Sequence, residues 1–124
     1  MNVEMESIDA LERVFHEPSR MAIVSVLCAS RGGMTFTELR DRCGLTDGNL
    51  SRHVKMLEEE GIVRCVKAFV DAKPRTTVKL TASGTKRFKA YLDALETVLK
   101  QATYAIRQES KERSFPATGL AARA

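Results

Sequence analysis

Between residues 35 and 81 the chain runs through two short helical patterns, a tight turn and a basic alternating stretch, with no linker between them. The helical patterns are FTELRDRCG (36–44) and TDGNLSRHVKMLEEEG (46–61), and IVRCVKAFVDAKPRTTVKLT (62–81) follows at once. Thr37 is expected to cap the first helix, with Leu39 and Cys43 facing inward. Gly44 allows a sharp turn, Leu45 plugs it, and Thr46 caps the second helix. In that helix Leu50, Val54 and Leu57 stand at i, i+4 and i+7 and must face a core. His53 is expected half-buried against the base of the next element. The alternating stretch predicts a hairpin with strands over 63–70 and 75–80. Its tip would be Asp71-Ala72-Lys73-Pro74, because proline cannot donate to a ladder.

The flanks complete the domain. A first helix is expected from Ser7 or Ile8 to Phe15, with Ile8, Leu11, Val14 and Phe15 on one stripe. Pro18 starts another, lined inside by Met21, Val24, Leu27 and Cys28 and ended by Arg31-Gly32-Gly33. Met34 and Phe36 flank a short extended piece suited to pairing with the hairpin as a third strand. Thr81 caps a last helix over about 82–108. Its apolar residues Phe88, Tyr91, Leu92, Leu95, Val98, Leu99, Ala102 and Ile106 recur at three- and four-residue steps. That stripe exceeds what a small domain can cover, so it reads as a seam between two copies of the chain, joined by Ile8, Leu11 and Phe15. The fold class is therefore mainly α with a small β-hairpin (α+β). Residues 1–109 form one domain, and 110–124, without periodicity, read as a flexible tail.

Charge separates along the chain. Residues 1–60 carry a net −4 and residues 61–90 a net +7, the latter from 8 Lys/Arg against Asp71 alone. A basic block on the hairpin and the start of the next helix suits a polyanion. With Leu50, Val54 and Leu57 inside, the free face of the second turn helix holds Gly48, Ser51, Arg52 and Lys55, led by Thr46, Asp47 and Asn49. Such a small, polar, basic face suits the major groove of double-stranded DNA. Arg52 is the candidate for bidentate contact to guanine and Asn49 for adenine, while Ser51 and Lys55 would meet phosphates or base edges. Lys67, Lys73 and Arg75 would flank the duplex, and Thr35 and Thr37 could donate to a phosphate. The acidic run Glu58-Glu59-Glu60 should point away from DNA.

Other classes find little support. No G-x-S-x-G, H-E-x-x-H or phosphate-binding glycine loop occurs, and His16 and His53 lack a carboxylate partner at useful spacing, so no enzyme and no cofactor are expected. The three cysteines, Cys28, Cys43 and Cys65, are widely spaced and read as small core residues in a reducing compartment, with Cys65 the most exposed. The most apolar stretch, MAIVSVLCA (21–29), is too short to span a bilayer, and the acidic start does not resemble a signal peptide, so a cytoplasmic protein is expected.

GLTDGNLSRHVKMLEEEGIV resembles the recognition-helix region of the MarR and ArsR groups of winged-helix regulators. The segment 67–88, KAFVDAKPRTTVKLTASGTKRF, is similar to a narrower, compact MarR-like family of stand-alone regulators. There a lysine–aromatic strand (Lys67, Phe69), a Pro-Arg-Thr hairpin (Pro74-Arg75-Thr76) and a Leu-Thr-x-x-Gly helix start (Leu80 to Gly84) occur in that order. The resemblance covers about residues 8–101. It implies a winged helix-turn-helix with a long C-terminal dimerisation helix, acting as a homodimeric transcriptional regulator on a pseudo-palindromic operator. ArsR metal sensors carry a cysteine pair on the helix before the turn. Here Cys43 stands beside Arg40 and Asp41, so no metal site is expected. Two alternatives stay open: a sensor whose small-molecule effector sits in a cleft near Phe15, Tyr91 and Leu95 or whose input is oxidation, and a protein-interaction module without DNA.

Overall fold

The computed structural model describes residues 11–119. In chain order the elements are α1 (Pro18–Cys28), β1 (Met34–Thr35), α2 (Phe36–Cys43), α3 (Asp47–Glu59), β2 (Val63–Val70), β3 (Lys73–Leu80) and α4 (Ala82–Gly119). The strands form one antiparallel sheet in the order β1-β3-β2. The result is an α+β winged helix-turn-helix built around a single buried cluster. That cluster takes Ile23, Val24 and Leu27 from α1, Leu39 from α2, Leu50, Val54 and Leu57 from α3, Val63 and Val78 from the sheet, and Phe88 and Tyr91 from α4.

The region ahead of α1 differs from expectation. Ile8 lies outside the described residues, and residues 13–15 form a turn rather than the end of a helix, with Phe15 N–H donating to Glu12 O at 3.1 Å. The turn drops Phe15 into the core at zero exposure. Pro18 then opens α1 while Glu17 accepts from Arg20 N–H at 2.8 Å, satisfying one of the donors that a helix start leaves free. Ile23, rather than Met21, completes the buried face, and Cys28 at the helix end is exposed.

The third strand forms as the spacing suggested, Met34 opposite Val78 and Thr35 opposite Thr77. Gly33 leads into it at φ +87°, where a Cβ would stand 2.6 Å from both Lys79 Cγ and Val78 O. Strand pairing moves the start of α2 two residues forward: its cap is Thr35, not Thr37. Thr35 Oγ1 accepts from Glu38 N–H at 3.2 Å while the Glu38 carboxylate accepts from Thr35 N–H at 3.3 Å. This reciprocal box was legible as Thr-x-x-Glu. Gly44 makes the turn at φ +65°, and Thr46 caps α3 by accepting from Asn49 N–H at 3.1 Å.

The hairpin tip is tighter than expected. Val70 pairs with Lys73, leaving only Asp71 and Ala72 in the turn, both at positive φ (54° and 63°). Two left-handed residues match the right-handed twist of the strands. Pro74 therefore sits inside β3, opposite Phe69. Its missing N–H faces outward by the antiparallel alternation, where β1 is too short to reach.

The hairpin joins α4 through Thr81. Its N–H donates to Ile62 O at 2.9 Å, its hydroxyl donates to Gly61 O at 2.7 Å, and that hydroxyl accepts from Gly84 N–H at 2.8 Å. Gly84 presses on the same backbone: a Cβ there would lie 2.3 Å from Ile62 O. The Leu-Thr-x-x-Gly start is thus a packing joint. α4 continues past the expected end at Gln108 to Gly119. No helix among the described residues is long and apolar enough to cross a membrane.

Candidate nucleic-acid interface

Helix α3 buries Leu50, His53, Val54 and Leu57 and leaves Thr46, Asp47, Gly48, Asn49, Ser51, Arg52 and Lys55 exposed. Arg52 donates to Asn49 Oδ1 at 3.3 Å, one helical turn back, so the guanidinium is held over the leading end of the helix. Asp47 has a different role from its neighbours. Its carboxylate takes Arg40 at 2.9 Å, and Arg40 also binds Asp41 at 3.0 Å. The Arg40 fork thereby ties α2 to α3 across the turn, and those bonds, Asp47 first, raise its pKa further. Residue spacing did not single out Arg40; its position seven residues before Asp47 shows the pairing only once the turn is folded.

Behind this face His53 is 4 % exposed, wedged against α1 rather than half-buried at the hairpin base. Arg20 Nη1 lies 3.3 Å from its Nδ1, and the Glu17 carboxylate 4.0 Å from the same atom. An arginine only donates, so Nδ1 is the acceptor and the ring is neutral. Burial lowers the His53 pKa, Glu17 opposes that, and Arg52 and Arg20 reinforce it.

On the wing Lys67, Lys73 and Arg75 are all exposed but do not share a face. Lys73 and Arg75 lie on one side of the hairpin, across from Val70 and Ala68, while Lys67 and Phe69 lie on the other. Phe69 is 77 % exposed at the far end of the wing, an apolar side chain among cations and an addition to the residues expected at the interface. A lone aromatic inside a basic hairpin was the available signal.

The start of α2 and the wing strand β3 form a cleft of about 540 Å³ lined by Thr35, Phe36, Thr37, Glu38, Pro74, Arg75 and Thr76. It brings both phosphate-contact candidates, Thr35 and Thr37, beside the wing residue Arg75. The Thr35 hydroxyl is already engaged, donating to Glu38 at 3.0 Å, whereas Thr37 is exposed beside it. Glu58 and Glu60 turn away from this side: Glu58 accepts from Cys65 N–H at the outer edge of β2, and Glu60 pairs with Arg87 at 3.0 Å.

The residues assigned to a dimer seam divide in two. Phe15, Phe88 and Tyr91 pack ring on ring at 5.2–5.9 Å within one chain and have almost no exposed surface. They belong to the core and fill the place expected for an effector cleft. Leu92 and Leu99 remain 43 % and 57 % exposed, with Ala102 exposed and Leu95 and Val98 half-buried beside them. Leu11 is half-buried against the core.

Cys28 is the exposed cysteine, and Cys43 and Cys65 are half-buried, against the expectation that Cys65 would be the most open. Burial pushes all three thiols above their usual pKa, at Cys65 with added repulsion from Glu58, so none is an activated thiolate. Among the described residues no three His, Cys, Asp or Glu side chains converge on a metal position.

Comparison with known proteins agrees with this architecture. The sequence model of the winged helix DNA-binding domain family matches residues 19–113. An uncharacterised protein of Methanocaldococcus jannaschii is 34% identical over 83 residues, spanning 64% of this chain and 86% of its own. A transcriptional regulator homologue from Pyrococcus horikoshii superposes with a TM-score of 0.73 at 29% identity, over 82% of this chain and 98% of that one. The MepR protein of S. aureus, solved as a DNA complex, gives a TM-score of 0.63 at 18% identity over 90% of each chain.

Proposed function

Because the chain belongs to the winged-helix DNA-binding domain family and resembles MarR-type transcriptional regulators, we propose that it is a homodimeric repressor. In this reading it binds a pseudo-palindromic operator in double-stranded DNA in the cytoplasm. The observation that carries the reading is the exposed polar face of α3, with Arg52 poised on Asn49 and the basic wing alongside. Arg52 and Asn49 read base edges. Ser51, Lys55 and the helix start at Thr46 to Gly48 meet the groove walls, and Asp47 holds the turn through Arg40. Lys73 and Arg75 hold the flanking backbone from one side of the wing, Lys67 from the other, and Thr37 donates to a phosphate at the cleft. Two α3 helices set about 34 Å apart would enter successive major grooves. The two protomers are joined along α4 by Leu92, Leu95, Val98, Leu99 and Ala102.

The test is selection from a pool of genomic DNA fragments at two salt concentrations, with the Arg52→Ala variant alongside. A palindromic site should be enriched. The variant should lose about 1–3 kcal/mol of affinity and relax preference at one base position. Unchanged affinity and preference in Arg52→Ala would sink the assignment of α3 as the reading helix.

A further inference from the structure

Arg64 on β2 and Lys79 on β3 stand directly opposite each other in the ladder. Like charges in that position repel and weaken a sheet. A third cation, Arg31, reaches the same place from the α1–β1 loop. That loop is pressed onto the strand at Gly33, where only glycine fits against Lys79 and Val78. Arg31, Arg64 and Lys79 line one cavity of about 210 Å³ with Leu80, Thr81 and Ala82, and no acidic side chain lines it. Elsewhere the fold pairs its clustered arginines, Arg40 with Asp41 and Asp47, Arg87 with Glu12 and Glu60. Among the described residues none of these three cations makes a salt bridge.

We propose that Arg31, Arg64 and Lys79 form a binding site for a phosphate-type dianion, free or carried by a small phosphorylated molecule. Two guanidinium forks and an ammonium match the oxygens of such a group, and the cavity admits a compact headgroup rather than an extended ligand. The backbone at Ala82 adds the positive end of α4. The site lies at the base of the hairpin, on the same face as Lys73 and Arg75 but away from the wing tip. Arg64 lies six residues back along β2 from Val70, about 20 Å from the wing tip at 3.3 Å per residue. It sits where the α1–β1 loop, the base of the hairpin and the start of α4 meet, so an anion there would brace the reading domain against the long helix. The inference does not depend on the DNA reading.

The experiment is calorimetric titration of the full chain with inorganic phosphate and, separately, glycerol 3-phosphate, against chloride at matched ionic strength. Thermal unfolding would be followed in parallel. Wild type should bind with saturable heat and show a saturable rise in Tm. Arg64→Gln/Lys79→Gln should bind at least about tenfold more weakly, since charge-assisted bonds are lost. In chloride alone the double variant should unfold no lower than wild type, because a repulsive pair has been removed. Arg31→Gln, changed only in the loop, should weaken binding with the ladder intact. Lys73→Gln/Arg75→Gln should lose duplex affinity and keep phosphate binding. Stronger binding of glycerol 3-phosphate assigns a phosphorylated metabolite, and equal binding assigns free phosphate. Equal binding by wild type and the Arg64/Lys79 variant, an equal loss in the control Lys86→Gln, or no saturable heat in wild type would overturn the site.

Discussion

Helices α3 and α4 each bury one face and leave another bare, and the two bare faces are opposite in character. On α3 the exposed side is small, polar and cationic, from Thr46 to Lys55. On α4 the first turns spend their apolar residues inward, with Phe88, Tyr91 and Ala94 at 2 %, 0 % and 8 % exposure. Leu92, beside Tyr91, stays 43 % exposed, and the later turns leave Leu99, Tyr104 and Ile106 at 57 %, 65 % and 67 %. The domain beneath is simply shorter than the helix. Covering a large apolar side chain is favourable by about 1.5–3 kcal/mol, so the α4 face suits an apolar partner, while the α3 face suits a polyanion. One chain therefore leaves two uncovered helix faces of opposite kind, the division that the proposed dimer and DNA contacts would use.

The sharpest way to break that contrast is to charge the α4 face alone. Leu92→Asp/Leu99→Asp should raise the dimer dissociation constant by at least about 100-fold, read by sedimentation equilibrium, because unpaired carboxylates would be buried at the seam. Helicity by circular dichroism should be retained. An unchanged self-association constant would remove this face from the interface.

Next in size is the joint between the two regions. Gly84→Ala places a Cβ against Ile62 O, and backbone cannot yield as a side-chain tip can. Urea unfolding should show a loss of about 3 kcal/mol. A loss well under 1 kcal/mol would mean that the hairpin base shifts freely beneath α4.

A smaller effect concerns the back of α3. The folded pKa of His53 is held below its unfolded value of 6.5, chiefly by burial. Below that pH the unfolded chain binds a proton that the folded one resists, so stability is full above 6.5 and falls as pH drops toward the lowered value. His53→Asn keeps an acceptor for Arg20 and should flatten that fall in melts at pH 7 and pH 5. Equal slopes would place the titration elsewhere.

The smallest effect is at the wing tip, where Ala72 adopts φ 63°. Ala72→Gly removes the left-handed penalty and should stabilise by about 1 kcal/mol or less, seen as a small rise in Tm. A fall in Tm would argue that the turn does not hold that conformation.

Much of the reading domain was legible in the sequence because its signals are local. Gly44, Thr46 and the Leu50, Val54, Leu57 spacing act within one turn of where they stand, and the structure places each as the pattern implied. Local pattern misleads where two distant segments compete for a residue. Thr35 rather than Thr37 caps α2 because pairing of Met34 and Thr35 with β3 decides where the chain may start to coil. Pro74 lies within β3 because the turn closes on Asp71 and Ala72, and Ala72 stands where a glycine would have marked such a left-handed turn. Of the site, the exposed face of α3 could be read from helical spacing, whereas the Arg40–Asp47 tie and the splitting of the basic wing residues between two faces could not.

Local pattern is enough for the order of elements from α1 onward, the Thr46 cap and the polar stripe of α3, since periodicity and capping act through neighbours three or four residues away. Tertiary structure alone decided that His53 is sealed against Arg20 and Glu17, that Phe88 and Tyr91 close on Phe15, and that Cys28 is left outside. It also decided that Arg31, Arg64 and Lys79 line one cavity. Those outcomes depend on which surfaces meet across the fold. A helical stripe tells which side is apolar, but only packing tells how far along the helix the chain's own core extends.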